Sequence, residues 1–284
     1  MQFDFRTEKT KKYVATNCFD RIGQPLKVIT WNIERGIKLE AIIEQLRAID
    51  ADIIALQEID SWCSRSNFVD TGIAIARALE LNYAFQLEFR ELNSGKDDHK
   101  PYYHGVHGNG ILTKFDIHNA ETLDHKCQPY NWDRDGVLLN EPREGRRFTL
   151  CCTVRVPAVY SVQYCQDLRH SDLLPGRTAV VPRHFHVCVY TCHMELFCGA
   201  AHRLEILAEI FTHSRAAPTQ YQLLLGDFNT LAHSLARLSP KYCRDGLRWA
   251  LGWTEAQWVA AHVLDFGCDD ALEVRRGVRE SETG

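Results

Sequence analysis

Polar residues that could do chemistry follow apolar runs of the sequence at Asn32, Glu58, His193, Asp227 and Asn229. Carboxylate and amide oxygens are hard ligands, which suit Mg²⁺ or Mn²⁺ better than Zn²⁺. Such an ion neutralises a phosphate oxygen and the charge that develops in a displacement reaction. A histidine beside it can donate a hydrogen bond to the phosphate or protonate a leaving group. The residue types therefore indicate metal-assisted chemistry at a phosphate.

The elements around the first two residues predict that they converge. LKVITWN (26–32) and DIIALQE (52–58) are short runs of apolar and β-branched residues, as in buried strands. Residues 37–49 carry apolar side chains at helical spacing, so a strand–helix–strand crossover with parallel strands is expected. Because parallel strands end at the same edge of a sheet, Asn32 and Glu58 should lie together there.

The rest of the chain alternates between strand and helix patterns, which predicts an α/β fold. Strands are expected at 83–89, 108–117, 148–156, 185–193 and 221–227, helices at 70–80, 199–214 and 249–262, and loops at 91–108, 119–146 and 157–183. Asp227 ends one of these strands, and an extended backbone would point Asp227 and Asn229 to the same side. No repeat or long polar linker divides the chain. We therefore expect one domain over 26–284, preceded by residues 1–25 as a surface arm or an edge strand.

Composition excludes several classes of protein. The chain has 284 residues, 45% hydrophobic and 25% charged, which argues against disorder and low complexity. Its net charge of −4 argues against a general nucleic-acid coat, which is usually basic. No run approaches the roughly 18 apolar residues of a membrane span, and the N-terminus has no apolar signal core. The 11 cysteines lack Cys-x-x-Cys spacing, so reduced thiols in a cytoplasmic or nuclear protein that is not secreted are expected.

Five segments resemble, in order, the successive motifs of the endonuclease/exonuclease/phosphatase superfamily. They are TWNIERG (30–36), LQEID (56–60), HGNGILTKFDI (107–117), YTCHMELFCGAAHR (190–203) and LLLGDFNT (223–230). This superfamily includes apurinic endonucleases, DNase-I-like nucleases, neutral sphingomyelinases and inositol-polyphosphate phosphatases. The resemblance implies a DNase-I-like α/β fold, a four-layer sandwich of two mixed β-sheets flanked by helices.

The resemblance also implies a Mg²⁺-dependent (or Mn²⁺-dependent) phosphoric-ester hydrolase. In it, Asn32 and Glu58 match the residues of the metal site, and His193 matches the histidine that contacts phosphate. Asp227 and Asn229 match the pair that handles the nucleophilic water and the phosphate. The substrate stays open between a lipid headgroup, an inositol phosphate and nucleic acid, and we expect a monomer.

One departure from the superfamily pattern concerns the general base. The superfamily normally closes with Ser-Asp-His, in which the histidine activates water, and no Ser-Asp-His follows Asn229. We therefore expect a chain truncated before the usual C-terminal Asp-His segment. The alternative function is an inactive member that binds a phosphate ligand.

Each candidate residue also has a structural interpretation. Asn32 could cap a turn or helix, Glu58 could be a surface carboxylate, and His193 could be a satisfied structural histidine. The sequence Gly-Asp-x-Asn, which contains Asp227 and Asn229, could also form a turn, because glycine, aspartate and asparagine all favour turns. Asn109 could bind substrate or form a turn before the next strand. Arg147 could contact phosphate or lie in a solvated loop.

Overall fold

The structure is a computed structural model that describes residues 5–9, 26–92, 105–139, 141–157, 184–219, 221–230 and 246–269. The chain divides into two compact units. The first unit comprises Met1–Asp124, Trp132–His193 and Ala217–Asp227, and the second comprises His125–Asn131, Met194–Ala216 and Phe228–Gly284.

Two mixed β-sheets form the first unit. Its described strands are β1 (Phe5–Lys9), β2 (Val28–Asn32), β3 (Ile53–Ser61), β4 (Asn82–Glu91), β5 (Val106–Thr113), β6 (Asp116–Asp124), β7 (Arg143–Gly145), β8 (Phe148–Pro157), β9 (His184–His193) and β10 (Tyr221–Asp227). Sheet A has the order β1–β4–β5–β3–β2, with β7 also paired to β4, and sheet B has the order β10–β9–β8–β6. The β2–β3 and β9–β10 pairs are parallel, and the other described pairs are antiparallel.

The hydrophobic core of the first unit lies between the two sheets. Side chains alternate along a strand, so each strand sends every second residue to this core. The buried residues that meet there include Ile53, Ala84 and Ile111 from sheet A and Leu150, Cys152, Val187 and Val189 from sheet B. Burial of one such aliphatic side chain stabilises the fold by about 1.5–3 kcal/mol, so this contact fixes the two sheets against each other.

Two helices cover the other face of sheet A. They are α1 (Leu39–Ile49) and α2 (Thr71–Ala78). Ile42 and Leu46 of α1 and Ile75 of α2 pack in a second buried cluster with residues of β3, β4 and β5. The start of α2 is fixed by the carboxylate of Asp70, which accepts a hydrogen bond from the Ile73 backbone N–H at 3.0 Å. A short helix, α3 (Trp132–Asp135), precedes β7.

The second unit contains the helices α4 (Ala200–Ala216) and α5 (Gly246–Asp265). Phe211 of α4 stacks on Phe266, just beyond α5, with ring centroids 3.9 Å apart and planes 7° from parallel. The His262 ring of α5 lies 5.8 Å from the Phe211 ring. No helix in the described ranges is long and apolar enough to cross a membrane.

The predicted fold class is confirmed: an α/β sandwich with two mixed sheets and flanking helices. Of the two interpretations of the N-terminus, the edge strand applies to Phe5–Lys9, which pairs with β4, and the remaining residues up to 25 lie outside the described ranges. The single domain over 26–284 stays a prediction. The eight cysteines in the described ranges are free thiols.

Two local predictions were wrong. The strand expected at 108–117 is two strands, β5 and β6, because the chain turns at Lys114 and Phe115. The loop expected at 119–146 therefore loses residues 119–124 to β6, and it also contains α3 and β7. Much of the loop expected at 91–108, and nearly all of that at 157–183, lies outside the described residues.

Candidate active site

Four of the predicted residues come together at the carboxyl ends of the two parallel strand pairs. In β2–β3, Asn32 is opposite Gln57, the residue before Glu58, and in β9–β10, Asp227 is opposite His193. We call Asn32, Glu58, His193 and Asp227 the site edge. Parallel pairing explains the convergence, because the parallel strands of each pair run toward the same edge.

Glu58 reaches the site edge through a β-bulge. The predicted end of the strand at Glu58 is wrong, because β3 continues to Ser61. The register of β3 against β5 shifts between Leu56 and Ile59, and Glu58 has a left-handed backbone with φ of 60°. A bulge re-aims the side chain that it carries. A left-handed conformation costs a non-glycine residue about 1–2 kcal/mol, and functional sites are where such strain concentrates.

Asn32 joins the two carboxylates of the site edge. Its Nδ2 donates to Glu58 Oε1 and to Asp227 Oδ2, both at 3.0 Å. Its Oδ1 accepts from the backbone N–H of Glu34 at 3.1 Å, which orients the amide. One neutral amide thus holds two like charges close together. The contact of Oδ1 with the Glu34 backbone caps the turn that follows β2, so Asn32 has this structural role as well as its contacts to the carboxylates.

His193 is held in one tautomer. It is buried, and the guanidinium of Arg147 donates from Nη1 to His193 Nδ1 at 3.2 Å. Because Arg147 has no acceptor atom, Nδ1 must be unprotonated and the ring proton must sit on Nε2. Burial, and after it the positive charge of Arg147, lowers the pKa of His193 well below its usual 6.5. The neutral ring therefore has its N–H at Nε2, 3.8 Å from Asp227 Oδ2.

Arg147 is fixed in turn by the buried carboxylate of Glu88. The guanidinium donates to Glu88 Oε2 at 2.9 Å, and the Phe148 backbone N–H donates to Glu88 Oε1 at 3.2 Å. The guanidinium also stacks over the Phe89 ring, 5.0 Å from its centroid. Burial raises the pKa of Glu88, while the adjacent charge of Arg147 opposes that rise. The solvated-loop interpretation of Arg147 is wrong, since the side chain is buried and supports His193.

Asn109 lies inside β5, so the turn interpretation is wrong for it. It is fully buried, and neither Oδ1 nor Nδ2 has a hydrogen-bond partner within the described part of the chain. An unsatisfied buried polar group costs about 1–3 kcal/mol, so this amide is a candidate to bind a ligand.

Asn229 belongs to the second unit. Its backbone is left-handed, with φ of 51°, so the extended backbone assumed for Asp227 and Asn229 ends before Asn229. Its Nδ2 donates to the carbonyl of Met194 at 2.7 Å. The expectation of one shared side therefore had the wrong backbone geometry, and this amide ties the loop after β10 to the loop after β9.

Arg203 of α4 is a positioning residue that the sequence analysis did not identify. It is fully buried, and its guanidinium donates to the carbonyls of Phe228, Cys198 and Glu195 at 2.7, 3.1 and 2.8 Å. It thereby joins the two loops that follow β9 and β10. Its position at the end of the fourth motif, YTCHMELFCGAAHR, was the available signal.

Gln57 is a second positioning residue that the sequence analysis did not identify. This buried side chain lies between the sheets and donates from Nε2 to Thr191 Oγ1 of β9 at 3.0 Å and to Thr30 Oγ1 of β2 at 3.2 Å. It links the strands that carry Asn32, Glu58 and His193. Its position in the second motif, LQEID, one residue before Glu58, was the available sequence signal.

A second charged cluster lies deeper in sheet A, and we call Asp60, Arg65, Glu91 and His107 the buried ion network. Arg65 donates to both oxygens of Asp60, at 2.6 and 2.8 Å, and to Glu91 at 2.8 Å. His107 Nδ1 lies 2.7 Å from Asp60 Oδ1. Burial raises the pKa of Asp60, but its hydrogen bonds to Arg65 and His107 prevail and hold it at about 2.

The model of the Endonuclease/Exonuclease/phosphatase family matches residues 29–266 of the chain. The chain therefore belongs to the endonuclease/exonuclease/phosphatase family, as the order of its motifs predicted. No curated relative matches its sequence.

Three of the solved structures to which the chain is similar are the following. A family protein from Beutenbergia cavernae is 17% identical, with 84% of this chain and 53% of that chain covered and a TM-score of 0.49. The catalytic domain of human Nocturnin is 16% identical, with 80% and 68% covered and a TM-score of 0.44. ANGEL2, a 2′,3′-cyclic phosphatase, is 14% identical, with 82% and 57% covered and a TM-score of 0.43. The chain thus spans about half the length of the first of these proteins.

Proposed function

We propose that the chain is a phosphoric-ester hydrolase that depends on Mg²⁺ or Mn²⁺ and acts at the site edge. The observation that carries this proposal is the pair of carboxylates, Glu58 and Asp227, that share the single neutral amide of Asn32. The nearby histidine is neutral as well. Two carboxylates that one amide holds this close together offer anionic oxygen ligands to a single divalent ion.

The donor set fits Mg²⁺ or Mn²⁺. Magnesium usually keeps several waters and takes only one or two carboxylates, so Glu58 with help from Asp227 is sufficient. The Asn32 amide nitrogen faces the carboxylates, so Asn32 positions Glu58 in this proposal. When bound, the ion would neutralise a phosphate oxygen and the charge that develops during displacement.

The neighbouring side chains have complementary roles. His193 presents a neutral Nε2–H, which donates a hydrogen bond to a phosphate oxygen without giving up its proton at neutral pH. Arg147 keeps this tautomer by occupying Nδ1. Asp227 accepts a hydrogen bond from the attacking water and orients it. Asn109 supplies a further amide to the substrate, and Asn229 holds the loop that continues from Asp227.

The substrate is a phosphate ester, and lipid headgroups, inositol phosphates and nucleic acids are all compatible with the proposal. A second candidate function is a phosphate-ligand binding protein without catalysis. It is favoured by one observation: the neutral His193 presents an N–H at Nε2, which donates to a phosphate but does not take a proton from water.

The test combines metal binding with hydrolysis. Isothermal titration with Mn²⁺ should give one weak site in the wild type and none in Glu58→Gln. Glu40→Gln, which removes the same charge from an exposed position of α1, should bind as the wild type does. The same proteins are then assayed with bis-p-nitrophenyl phosphate and p-nitrophenyl phosphate in Mg²⁺ or Mn²⁺.

The outcomes separate the two functions. Metal-dependent hydrolysis by the wild type and Glu40→Gln, lost in Glu58→Gln, supports the hydrolase. Metal binding with no hydrolysis of either ester supports the binding protein. If Glu58→Gln and the wild type bind Mn²⁺ equally, the metal does not bind at the site edge.

A further inference from the structure

Two cysteines and a glutamate converge on the face of sheet B that points away from the core between the sheets. Leu150 and Cys152 of β8 and Val187 and Val189 of β9 belong to that core. Alternation along the strands therefore places Cys151 and Cys188 on the opposite face.

Cys151 lies close to both of the other groups. Cys151 Sγ and Cys188 Sγ are 3.1 Å apart. Glu121 of β6 is directly opposite Cys151 in the strand register, and its carboxylate lies within 4.8 Å of Cys151 Sγ. Both thiols are buried, at 1% and 2% exposure, whereas Glu121 is exposed and leaves the cluster a route to solvent.

The two thiols interact as they ionise. Either thiol can donate its S–H to the other sulfur, and this hydrogen bond lowers the pKa of Cys188. The same interaction and burial raise the pKa of Cys151, because a second negative charge beside the first is unfavourable. A cation bound between the sulfurs would remove that repulsion and allow both thiols to ionise.

We propose that Cys151, Cys188 and Glu121 bind one thiophilic divalent metal ion, with Zn²⁺ as the preferred occupant. Two thiolates and one carboxylate are a donor set for zinc, with water as the fourth ligand, and are a poor set for Mg²⁺. Zn–S bonds of about 2.3 Å in a tetrahedron place the sulfurs about 3.8 Å apart, so small side-chain rotations suffice.

This site is distinct from the site edge. Cys188 lies five positions before His193 on β9, and the two residues have opposite parity along the strand, so they face opposite sides of sheet B. The zinc site stabilises the pairing of β6, β8 and β9. It does not depend on the hydrolase proposal.

The experiment uses reduced protein and Cd²⁺ as a probe, because cadmium thiolates absorb in the ultraviolet. The wild type should bind Cd²⁺ with this absorbance, and Zn²⁺ should displace it whereas excess Mg²⁺ should not. Cys151→Ser and Cys188→Ser should each lose one bound equivalent. Glu121→Gln, a change at an exposed position, should bind about tenfold more weakly. The control is Cys152→Ala, which removes the neighbouring cysteine from the opposite face of β8.

Native mass spectrometry gives the stoichiometry, and circular dichroism confirms that each variant is folded. The site is supported if only the two serine variants lose an equivalent while Cys152→Ala keeps it. It is overturned if the reduced wild type binds no Cd²⁺ or Zn²⁺, or if Cys152→Ala loses as much as Cys151→Ser. It is also overturned if the pair forms a disulfide under mild oxidation, seen as a loss of two hydrogens, while the reduced protein takes up no metal.

Discussion

Glu58 and Asp60 are two positions apart on β3, and only one of them is neutralised by cations. Asp60 is fully buried and is bonded to Arg65 and His107. Glu58 is partly exposed, and the only hydrogen bond of its carboxylate within the described ranges comes from the neutral amide of Asn32. The bulge that carries Glu58 thus separates a carboxylate that serves the fold from the one that is proposed to bind an ion.

This difference gives a physical criterion for separating site residues from structural ones. A buried carboxylate with satisfied hydrogen bonds and a pKa held at about 2 is expensive to remove, because its partners would be left charged and unpaired. A carboxylate beside another anion contributes little to stability without a cation. The site edge should therefore control activity and the buried ion network should control stability, and each can be changed without the other.

The largest expected effect is on hydrolysis at the site edge. Asp227→Asn keeps the shape of the side chain but removes the charge that orients water in the proposed mechanism. We expect the rate with bis-p-nitrophenyl phosphate to fall about 10²–10⁴-fold, while the free energy of unfolding stays within about 1 kcal/mol of the wild type. Asp124→Asn, a change at the end of β6, is the charge-matched control and should keep the rate. A loss below tenfold in Asp227→Asn would remove Asp227 from the mechanism.

The next effect is on stability in the buried ion network. Asp60→Asn leaves Arg65 and His107 without their shared carboxylate, and removing one partner of a buried pair costs about 3–5 kcal/mol. Glu58→Gln on the same strand should change the free energy of unfolding by less than about 1 kcal/mol. Urea titration followed by circular dichroism measures both. Equal destabilisation by the two variants would contradict the distinction between the two carboxylates.

The sequence was sufficient for the fold class and for the positions of the site edge. Alternation and β-branched runs located β2, β3, β9 and β10, and parallel pairing then brought their carboxyl ends together. Strand ends were less predictable. A bulge at Glu58 and a left-handed Asn229 depend on local backbone conformation, which hydrophobic spacing does not encode.

Interactions between distant polar residues were beyond the sequence analysis. Arg147 was predicted to contact phosphate or to lie in a solvated loop, because its partners, Glu88 and His193, are separated from it by 59 and 46 positions. Gln57 and Arg203 stood within the motifs, but their hydrogen bonds are set by tertiary structure. Such pairings follow from packing rather than from residue type.

Acid titration should distinguish the two regions by the pH at which each loses stability. The pKa of His193 is lower in the folded state than its usual 6.5, so the unfolded state binds a proton first as the pH falls. The free energy of unfolding that is linked to His193 is therefore fully present above pH 6.5. It is lost as the pH falls below 6.5, by up to about 1.4 kcal/mol per pH unit. Asp60 has a folded pKa of about 2 against 3.8 unfolded, so its contribution of about 2 kcal/mol is lost only between those values.

The measurement is the free energy of unfolding in urea at a series of pH values. His193→Gln should flatten the profile between pH 6.5 and 5. Asp60→Asn should leave that part of the profile unchanged and remove the steeper loss below 3.8. A wild-type profile that stays level from pH 6.5 to 5 and matches His193→Gln would show that His193 is not held neutral by burial.

The smallest effect concerns two adjacent arginines, Arg146 and Arg147. The side chain of the first is exposed, and that of the second is buried beside His193. Arg146 is exposed and pairs with Asp124 at 2.5 Å, so Arg146→Lys should change little, within about 0.5 kcal/mol. Lysine at position 147 keeps the charge but loses the planar group that bonds Glu88 and His193 together. We expect Arg147→Lys to lower kcat about tenfold with KM nearly unchanged, because the substrate still binds while His193 is less well oriented.

The pKa of His193 should also rise, since a mobile ammonium opposes its protonation less than the fixed guanidinium does. Nitrogen NMR of the imidazole detects that change and any proton at Nδ1, which a purely structural role for Arg147 would not produce. An equal loss of kcat in Arg146→Lys, or an unaltered His193 tautomer and pKa in Arg147→Lys, would show that Arg147 does not position His193.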